Sequence, residues 1–369
     1  MDFDFSESQN IILHSARTFL EKEVKGLARK AEGTEAGYSP EAWHKMAELG
    51  WLGVVLPEQF GGIEGSFLDL TLLLEEAGKY LFPGPLIPAI LSGLCINGYG
   101  RASQKEEFLP GLIRGELIIC PACVEPDPAL SEKGVREEVK KANDRYFFSG
   151  TRLFVPYAHV ANYLLYCTEL EKAKTIFLIP TNSPGVTIRP LESIACDKLC
   201  EVKLQQVEIP EENLLGKVGL GDEILRKINA WGALAESAYI TGMLAQVLTM
   251  TVEYAKERQQ FEKKIGSFQA IQHQCADMAT DIDRMKFLTY QAALRLSQDL
   301  PSQKEISMAK ALASEASRRV SLLGVKIHGG MGVSEEHDMQ LYFRRAKAAE
   351  QAFGDADFHR EIVATELGL

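Results

Sequence analysis

Apolar residues recur at helical spacing over both ends of the chain and in short strand-like runs through its middle. Near the start, Leu13, Ala16, Leu20, Val24 and Leu27 step by three or four positions, one face of an α-helix. Ser6 and Gln9 ahead of them read as a capping box. Ser39 and Pro40 read as N-cap and first residue of a second helix that Gly50 stops. A third helix is expected over 66–80, ending near Gly78. Ser103 and Glu106 suggest a further capping box for a helix that ends before Gly115. Near Ile118 the texture changes. Ile118–Val124, Tyr146–Val155, Tyr163–Cys167, Thr175–Ile179, Val186–Pro190 and Leu199–Ile209 are β-branched or aromatic runs separated by turn residues. The charged stretch Glu132–Asn143 between two of them reads as an exposed excursion.

From Gly219 the helical period returns and lasts to the end. Phe268, Ile271, Cys275, Met278, Ile282 and Met285 form one stripe; Ile306, Ala309, Ala313, Ala316, Val320, Leu323 and Ile327 form another. HGGMG at 328–332 interrupts the pattern, and helices follow over 338–352 and 355–366. The expected fold is α+β and multidomain. It has an N-terminal α-helical domain (1–118), a middle β-barrel-like domain (119–217) and a C-terminal four-helix bundle domain (218–369).

The chain has 369 residues, is 46% apolar and 25% charged, and carries a net charge of −11. That balance is ordinary for a globular protein and argues against nucleic acid or an anionic membrane as partner. No apolar run reaches the roughly 18–20 residues that a bilayer span needs. The acidic start, MDFDFSESQ, is neither a signal nor a transit peptide. Seven cysteines, an odd number, are best read as buried free thiols, which fits a reducing cytoplasm. The histidines show no metal-ligand spacing, so no metal is assigned.

The stretch Tyr254–Asp283 carries the most distinctive chemistry. Two long helices meet there at a corner bearing Arg258, Gln259, Gln260, Phe261 and Gln269. Arginine and glutamine beside a helix N-terminus suit an anion such as a diphosphate, and an ordinary solvated helical corner reads equally well. GGMG at 329–332 follows no strand and opens no βαβ unit, so a dinucleotide fingerprint is rejected. Its glycines allow close approach of a ligand or a neighbouring chain, or simply stop a helix. The paired carboxylates Glu75/Glu76, Glu335/Glu336 and Asp355/Asp357 read as solvated faces.

Taken together, these segments resemble the acyl-CoA dehydrogenase family over essentially the whole length. The resemblance is carried by FSESQ, AELGWLGVVLPEQFGG (47–62), EEAG (75–78), YAKERQQF (254–261), IGSFQAIQHQCADM (265–278) and KIHGGMGVSEEH (326–337). FPGPLIPAILSG (82–93) looks like the short bacterial chains that often pair as two different subunits. The resemblance implies an FAD enzyme that oxidises an acyl-CoA to the 2,3-enoyl-CoA and passes electrons to an electron-transfer flavoprotein. It also implies a tetramer, homomeric or formed with a second acyl-CoA dehydrogenase subunit, whose FAD lies between two chains. Arg258, Gln260, Phe261, Gln269, Gly329 and Gly330 match the contacts made to a neighbour's FAD, and Lys326 stands where glutamine is usual.

The chain's own site departs from the pattern. TEPxxGSD appears as VEPDPALSE (124–132), and the flavin-facing Trp-(Ile/Val)-(Thr/Ser) as Phe154-Val155-Pro156. Ala233 replaces a CoA-contacting arginine. The two positions known for the catalytic carboxylate hold Phe353 and Gly232. Asp355, Glu350 and Glu236 are near in sequence, and Asp355 is the candidate for a substitute base or for a simple helix cap. Three readings follow: the base-free subunit of a heteromeric dehydrogenase, a self-sufficient enzyme using Asp355, or a non-catalytic structural relative.

Overall fold

The computed structural model describes residues 5–124 and 138–369. The chain folds as two compact units: residues 1–29, 66–82 and 230–369 make the first, and 30–65 with 83–229 make the second.

The first unit is helical. Helix α1 (Glu7–Phe19) begins at the capping box read from the sequence, Gln9 N–H donating to Ser6 Oγ at 3.2 Å and Ser6 N–H to Gln9 Oε1 at 3.0 Å. The apolar stripe does not continue as one α-helix. It passes through a π-helical turn (Leu20–Val24) and resumes in the second unit's short α2 (Leu27–Glu32), which starts within the first. Helix α4 (Phe67–Lys79) has a capping box that the sequence reading missed, Ser66 with Asp69. Three long helices form the bulk: α7 (Gly221–Glu257), α8 (Gln269–Ser297) and α9 (Gln303–His328). Two shorter ones, α10 (Met339–Gln351) and α11 (Ala356–Glu366), close the chain. Met243, Leu244 and Val247 of α7, Met278, Ile282 and Met285 of α8, and Ala313, Ala316 and Val320 of α9 share one core.

Two glycines let α4 and α7 touch main chain to main chain. A Cβ on Gly78 would overlap the Tyr239 carbonyl, and one on Gly242 the Glu75 carbonyl. This contact explains the EEAG segment. Glu75 and Glu76 are buried and paired rather than solvated, which corrects the sequence expectation. Glu75 accepts from Tyr290 Oη at 2.6 Å and Lys286 Nζ at 3.0 Å, and Glu76 accepts from Arg17 Nε at 3.0 Å and Lys79 Nζ at 2.8 Å. Buried carboxylates need such partners.

The second unit holds helices α3 (Pro40–Glu48), α5 (Leu86–Tyr99) and α6 (Ala102–Ile113) and the strands β1 to β8. Ser39 caps α3 as expected. Helix α6 starts differently: Arg101 occupies the cap and donates its N–H to Gln104 Oε1 at 3.1 Å, so Ser103 and Glu106 are the second and fifth residues of the helix. The strands form two four-stranded sheets and no closed barrel. One has the order β1 (Ile119–Ala122), β4 (Tyr163–Leu170), β5 (Ala173–Pro180), β8 (Leu214–Leu215). The other has β2 (Glu138–Ala142), β3 (Arg145–Pro156), β7 (Leu199–Pro210), β6 (Val186–Leu191). Edge strands β1 and β8, with four and two residues, are too short to bridge the sheets. Instead the faces pack: Tyr146 and Phe148 meet Phe177 with ring centroids 4.9 Å apart. Part of the expected excursion over Glu132–Asn143 is strand β2; its first six residues lie outside the described ones.

Among the described residues no helix is long and apolar enough to cross a membrane. No group of His, Cys, Asp and Glu among them is arranged to hold a metal ion. The seven cysteines, all among the described residues, form no disulfide; Cys95, Cys120, Cys167 and Cys200 are buried, whereas Cys196 is exposed.

Candidate functional site

The corner after α7 is a β-hairpin, not an irregular break. Gln259–Gln260 (β9) pairs antiparallel with Lys263–Lys264 (β10), and Phe261 and Glu262 make the tip with φ of 54° and 65°. Two positive φ values in succession define a type I′ turn, which favours Asn-Gly. A phenylalanine there is strained, and Phe261 is also 83% exposed. A backbone held in such a sparsely populated region is the kind of strain that clusters at functional sites. The closest ring neighbour of Phe261 is Phe268, edge-on at 6.2 Å.

Arg258 sits at the root of this hairpin. Its main chain is fixed by Arg258 N–H to the Tyr254 carbonyl at 2.8 Å and Ile265 N–H to the Arg258 carbonyl at 2.9 Å. Its guanidinium is exposed and has no hydrogen-bond or ion-pair partner among the described residues. Gln260 and Gln269 are likewise exposed, Gln269 as the first residue of α8. The GGMG turn lies beside this corner. The Tyr254 ring stacks on His328 at 4.4 Å, and His328 immediately precedes Gly329 and Gly330. A Cβ on either glycine would meet nothing within 4 Å, and Gly329 has φ +60°. Lys326 is exposed, one turn before them. The Tyr254–His328 stack was not anticipated; it joins two motifs that the sequence reading treated separately. His328 donates through Nδ1 to the Gly324 carbonyl at 2.7 Å, and its buried Nε2 has no partner among the described residues. Burial holds its pKa below the usual range, so the ring is a neutral acceptor at Nε2.

The other set of residues presents a different picture. Phe353 and Gly232, the two positions expected for a carboxylate, lie against each other. A Cβ on Gly232 would be 2.7 Å from the Phe353 Cζ and nearer still to Cδ1 and Cε1. The ring therefore fills the notch that the glycine leaves, among Ala233, Leu234, Ala292 and Ile306. Asp355 turns to its own helix: Oδ1 accepts the Phe358 N–H at 2.9 Å as N-cap of α11. In the second unit, Phe154 sits at φ +55° in a bulge of β3, 55% exposed, with Val155 buried and Pro156 closing the strand. Proline offers no N–H there. The VEPDPALSE stretch lies outside the described residues from Glu125 onward.

Helices, then sheets, then long helices, with a cationic hairpin and an open glycine turn side by side, are the arrangement expected of the family that the sequence resembles. Residues 6–116 match the family described as "Acyl-CoA dehydrogenase, N-terminal domain", and residues 223–368 match "Acyl-CoA dehydrogenase, C-terminal domain". The acryloyl-CoA reductase (NADH) of Anaerotignum propionicum is 30% identical over 379 aligned residues, covering 100% of this chain and 96% of that protein. A chain of the ChsE4-ChsE5 complex from Mycobacterium tuberculosis superposes with a TM-score of 0.92 at 26% identity, over 100% of this chain and 99% of that one. "PigA with FAD and proline" does so with a TM-score of 0.92 at 26% identity, over 100% of both chains. The chain belongs to the acyl-CoA dehydrogenase family. With that membership come oxidoreductase chemistry at carbon–carbon bonds and FAD as cofactor.

The described residues fit FAD on one side. The open cradle at Gly329 and Gly330, the free guanidinium of Arg258 and the projecting Phe261 suit a diphosphate and its adjoining rings. The base positions, by contrast, are packed with carbon.

Proposed function

We propose that this chain is the base-free subunit of a heteromeric acyl-CoA dehydrogenase. It completes, through Arg258, Gln260, Phe261, Gln269, Lys326, Gly329 and Gly330, an FAD site held mainly by a second, base-bearing subunit. The observation that carries the reading is the Phe353–Gly232 contact. Neither position at which the resemblance places the carboxylate holds one, and the two residues there are complementary in shape. A lone lost glutamate would leave a hole; here a ring occupies it.

In the assembled enzyme the bound FAD supplies the acceptor for the β-hydride of an acyl-CoA. This chain's part is to bind and orient. Arg258 neutralises diphosphate charge with a two-pronged donor. Gly329 and Gly330 admit a close approach to their main chain. Phe261 covers an apolar ring edge and excludes water. Removal of the α-proton falls to the carboxylate of the partner, since Phe353 and Gly232 hold no proton acceptor. Electrons leave to an electron-transfer flavoprotein, and the assembly works in the cytoplasm. The two-name complex from M. tuberculosis, similar in fold, supports a two-chain arrangement.

The test is to purify the chain alone and together with a base-bearing relative and to measure flavin absorbance and acyl-CoA oxidation. Flavin and activity are expected only in the mixed assembly, with Arg258→Ala lowering flavin retention there. Stoichiometric flavin and full dehydrogenase activity in the lone chain would refute the reading in favour of a self-sufficient enzyme. Flavin content of the mixed assembly unchanged by Arg258→Ala would refute it in favour of a structural relative.

A further inference from the structure

The turn that carries Phe353 is held from outside by two buried side chains that no motif singled out. Lys310, on α9, is fully buried. Its Nζ donates to Ser314 Oγ at 2.7 Å, to the Gly354 carbonyl at 2.8 Å and to the Glu350 carbonyl at 3.2 Å. An ammonium has three N–H groups, and here each meets one acceptor. Ser314 adds its own Oγ–H to the Glu350 carbonyl at 2.9 Å. His359, on α11 and also buried, meets the Phe353 carbonyl through Nε2 at 3.0 Å and Ser307 Oγ through Nδ1 at 3.2 Å. Burial holds the His359 pKa down, so it is a neutral ring donating from Nε2. Three carbonyls of one tight turn, at 350, 353 and 354, are therefore pinned by side chains of flanking helices. The backbone is driven into an unfavourable region: Phe353 has φ +57° and Gly354 φ +100°. Such conformations persist only where surrounding structure imposes them.

We propose that Lys310 is a positioning residue which, with His359, clamps the Phe353–Gly354 turn so that the direction of side chain 353 is set by the clamp and not by the side chain itself. This deepens the base-free reading and rests on it for its meaning: the residue so held at 353 is a phenylalanine and no proton acceptor. Among the described residues no carboxylate oxygen forms an ion pair with Lys310; its charge is balanced at longer range by Glu236 of α7, Glu350 of α10 and Asp355 at the head of α11. Glu350 is itself drawn toward Lys347 and Arg318. Desolvation outweighs these charges and lowers the Lys310 pKa to about 8. A turn that opened and returned Lys310 to water would recover the ordinary lysine pKa, so the clamped form gains on the open one as pH rises past that value.

A cysteine placed at 353 reports its direction. In Phe353→Cys the thiol is aimed into the Gly232 notch, and its reaction with an aromatic disulfide reagent, located by mass spectrometry, is slow beside that of exposed Cys196. Adding Lys310→Met is expected to raise that rate tenfold or more at pH 7. Raising the pH of the Phe353→Cys protein from 7 to 9.5 is expected to widen the gap, after correction for thiolate fraction. Rates within twofold in the two variants would overturn the proposal. Should Lys310→Met not fold, amide exchange of the unaltered chain decides: protection at 353–354 rises across pH 8–9 relative to α8, and a flat ratio overturns it. Neither readout involves flavin, so this proposal and the base-free reading fail separately.

Discussion

Gly232→Ala should change sign with the residue at 353. In the unaltered chain the new methyl enters the volume of the Phe353 ring. Inserting a methyl into packed surroundings costs about 1–3 kcal/mol. Alanine is also about 1 kcal/mol better than glycine inside a helix, and Gly232 lies in the middle of α7. The net expectation is a loss of up to about 2 kcal/mol. Phe353→Ala removes a half-buried ring and costs about 2 kcal/mol, the low side of the range for fully buried rings. In that background the clash is gone and the propensity gain remains, so Gly232→Ala becomes stabilising by about 1 kcal/mol. The coupling energy, about 1–3 kcal/mol, is that of residues in direct contact. Denaturant unfolding followed by the fluorescence of Trp231, the neighbour of Gly232 in sequence, gives all four stabilities. If Gly232→Ala shifts the midpoint equally in both backgrounds, the ring does not fill the notch and the shape argument for the base-free subunit collapses.

Other expectations concern the buried charges and the corner. Glu75→Ala should cost about 3–5 kcal/mol, because Lys286 and Tyr290 lose a buried partner; Glu75→Gln should cost less, and thermal unfolding of the two ranks them. Phe261→Ala should leave the stability of the isolated chain within about 0.5 kcal/mol, as an exposed side chain does, yet weaken association with the base-bearing subunit in sedimentation; a large loss of monomer stability would contradict the exposed placement. Above pH 9 the fold should lose stability, because burial raises the thiol pKa of Cys95 and Cys120 well above 9.0. Thiols that stay protonated in the fold and ionise when unfolded contribute stability that is present below the unfolded pKa and disappears as pH rises through it. Cys120→Ala should flatten the alkaline limb of the stability–pH curve.

The strands and most helix starts were legible because local chemistry decides them. Ser6 with Gln9, and Ser39 with Pro40, are satisfied within a few residues of themselves. Helix α5 was given no bounds of its own within the expected helical domain; its Pro88 lies in the first turn, where no intrahelical N–H bond is lost. The residues of the candidate site could be read, and their arrangement could not. Phe353 and Gly232 were each recognisable as replacements, whereas their contact depends on how α7 meets the α10–α11 turn. Lys310 looked like one more polar position on an amphipathic stripe. Its buried state follows from three carbonyl and hydroxyl acceptors whose positions only tertiary packing sets. The type I′ tip was hidden for the opposite reason, since Phe261 and Glu262 run against the preference of that turn.

The hairpin tip also bears on the fate of unassembled copies. Burying a phenylalanine side chain is worth about 1.5–3 kcal/mol, and Phe261 gains none of that while the chain stands alone. An orphan subunit accordingly displays a raised aromatic knob flanked by lysines at 263 and 264. In the proposed assembly a second subunit covers that ring, and a copy without its partner leaves it in water.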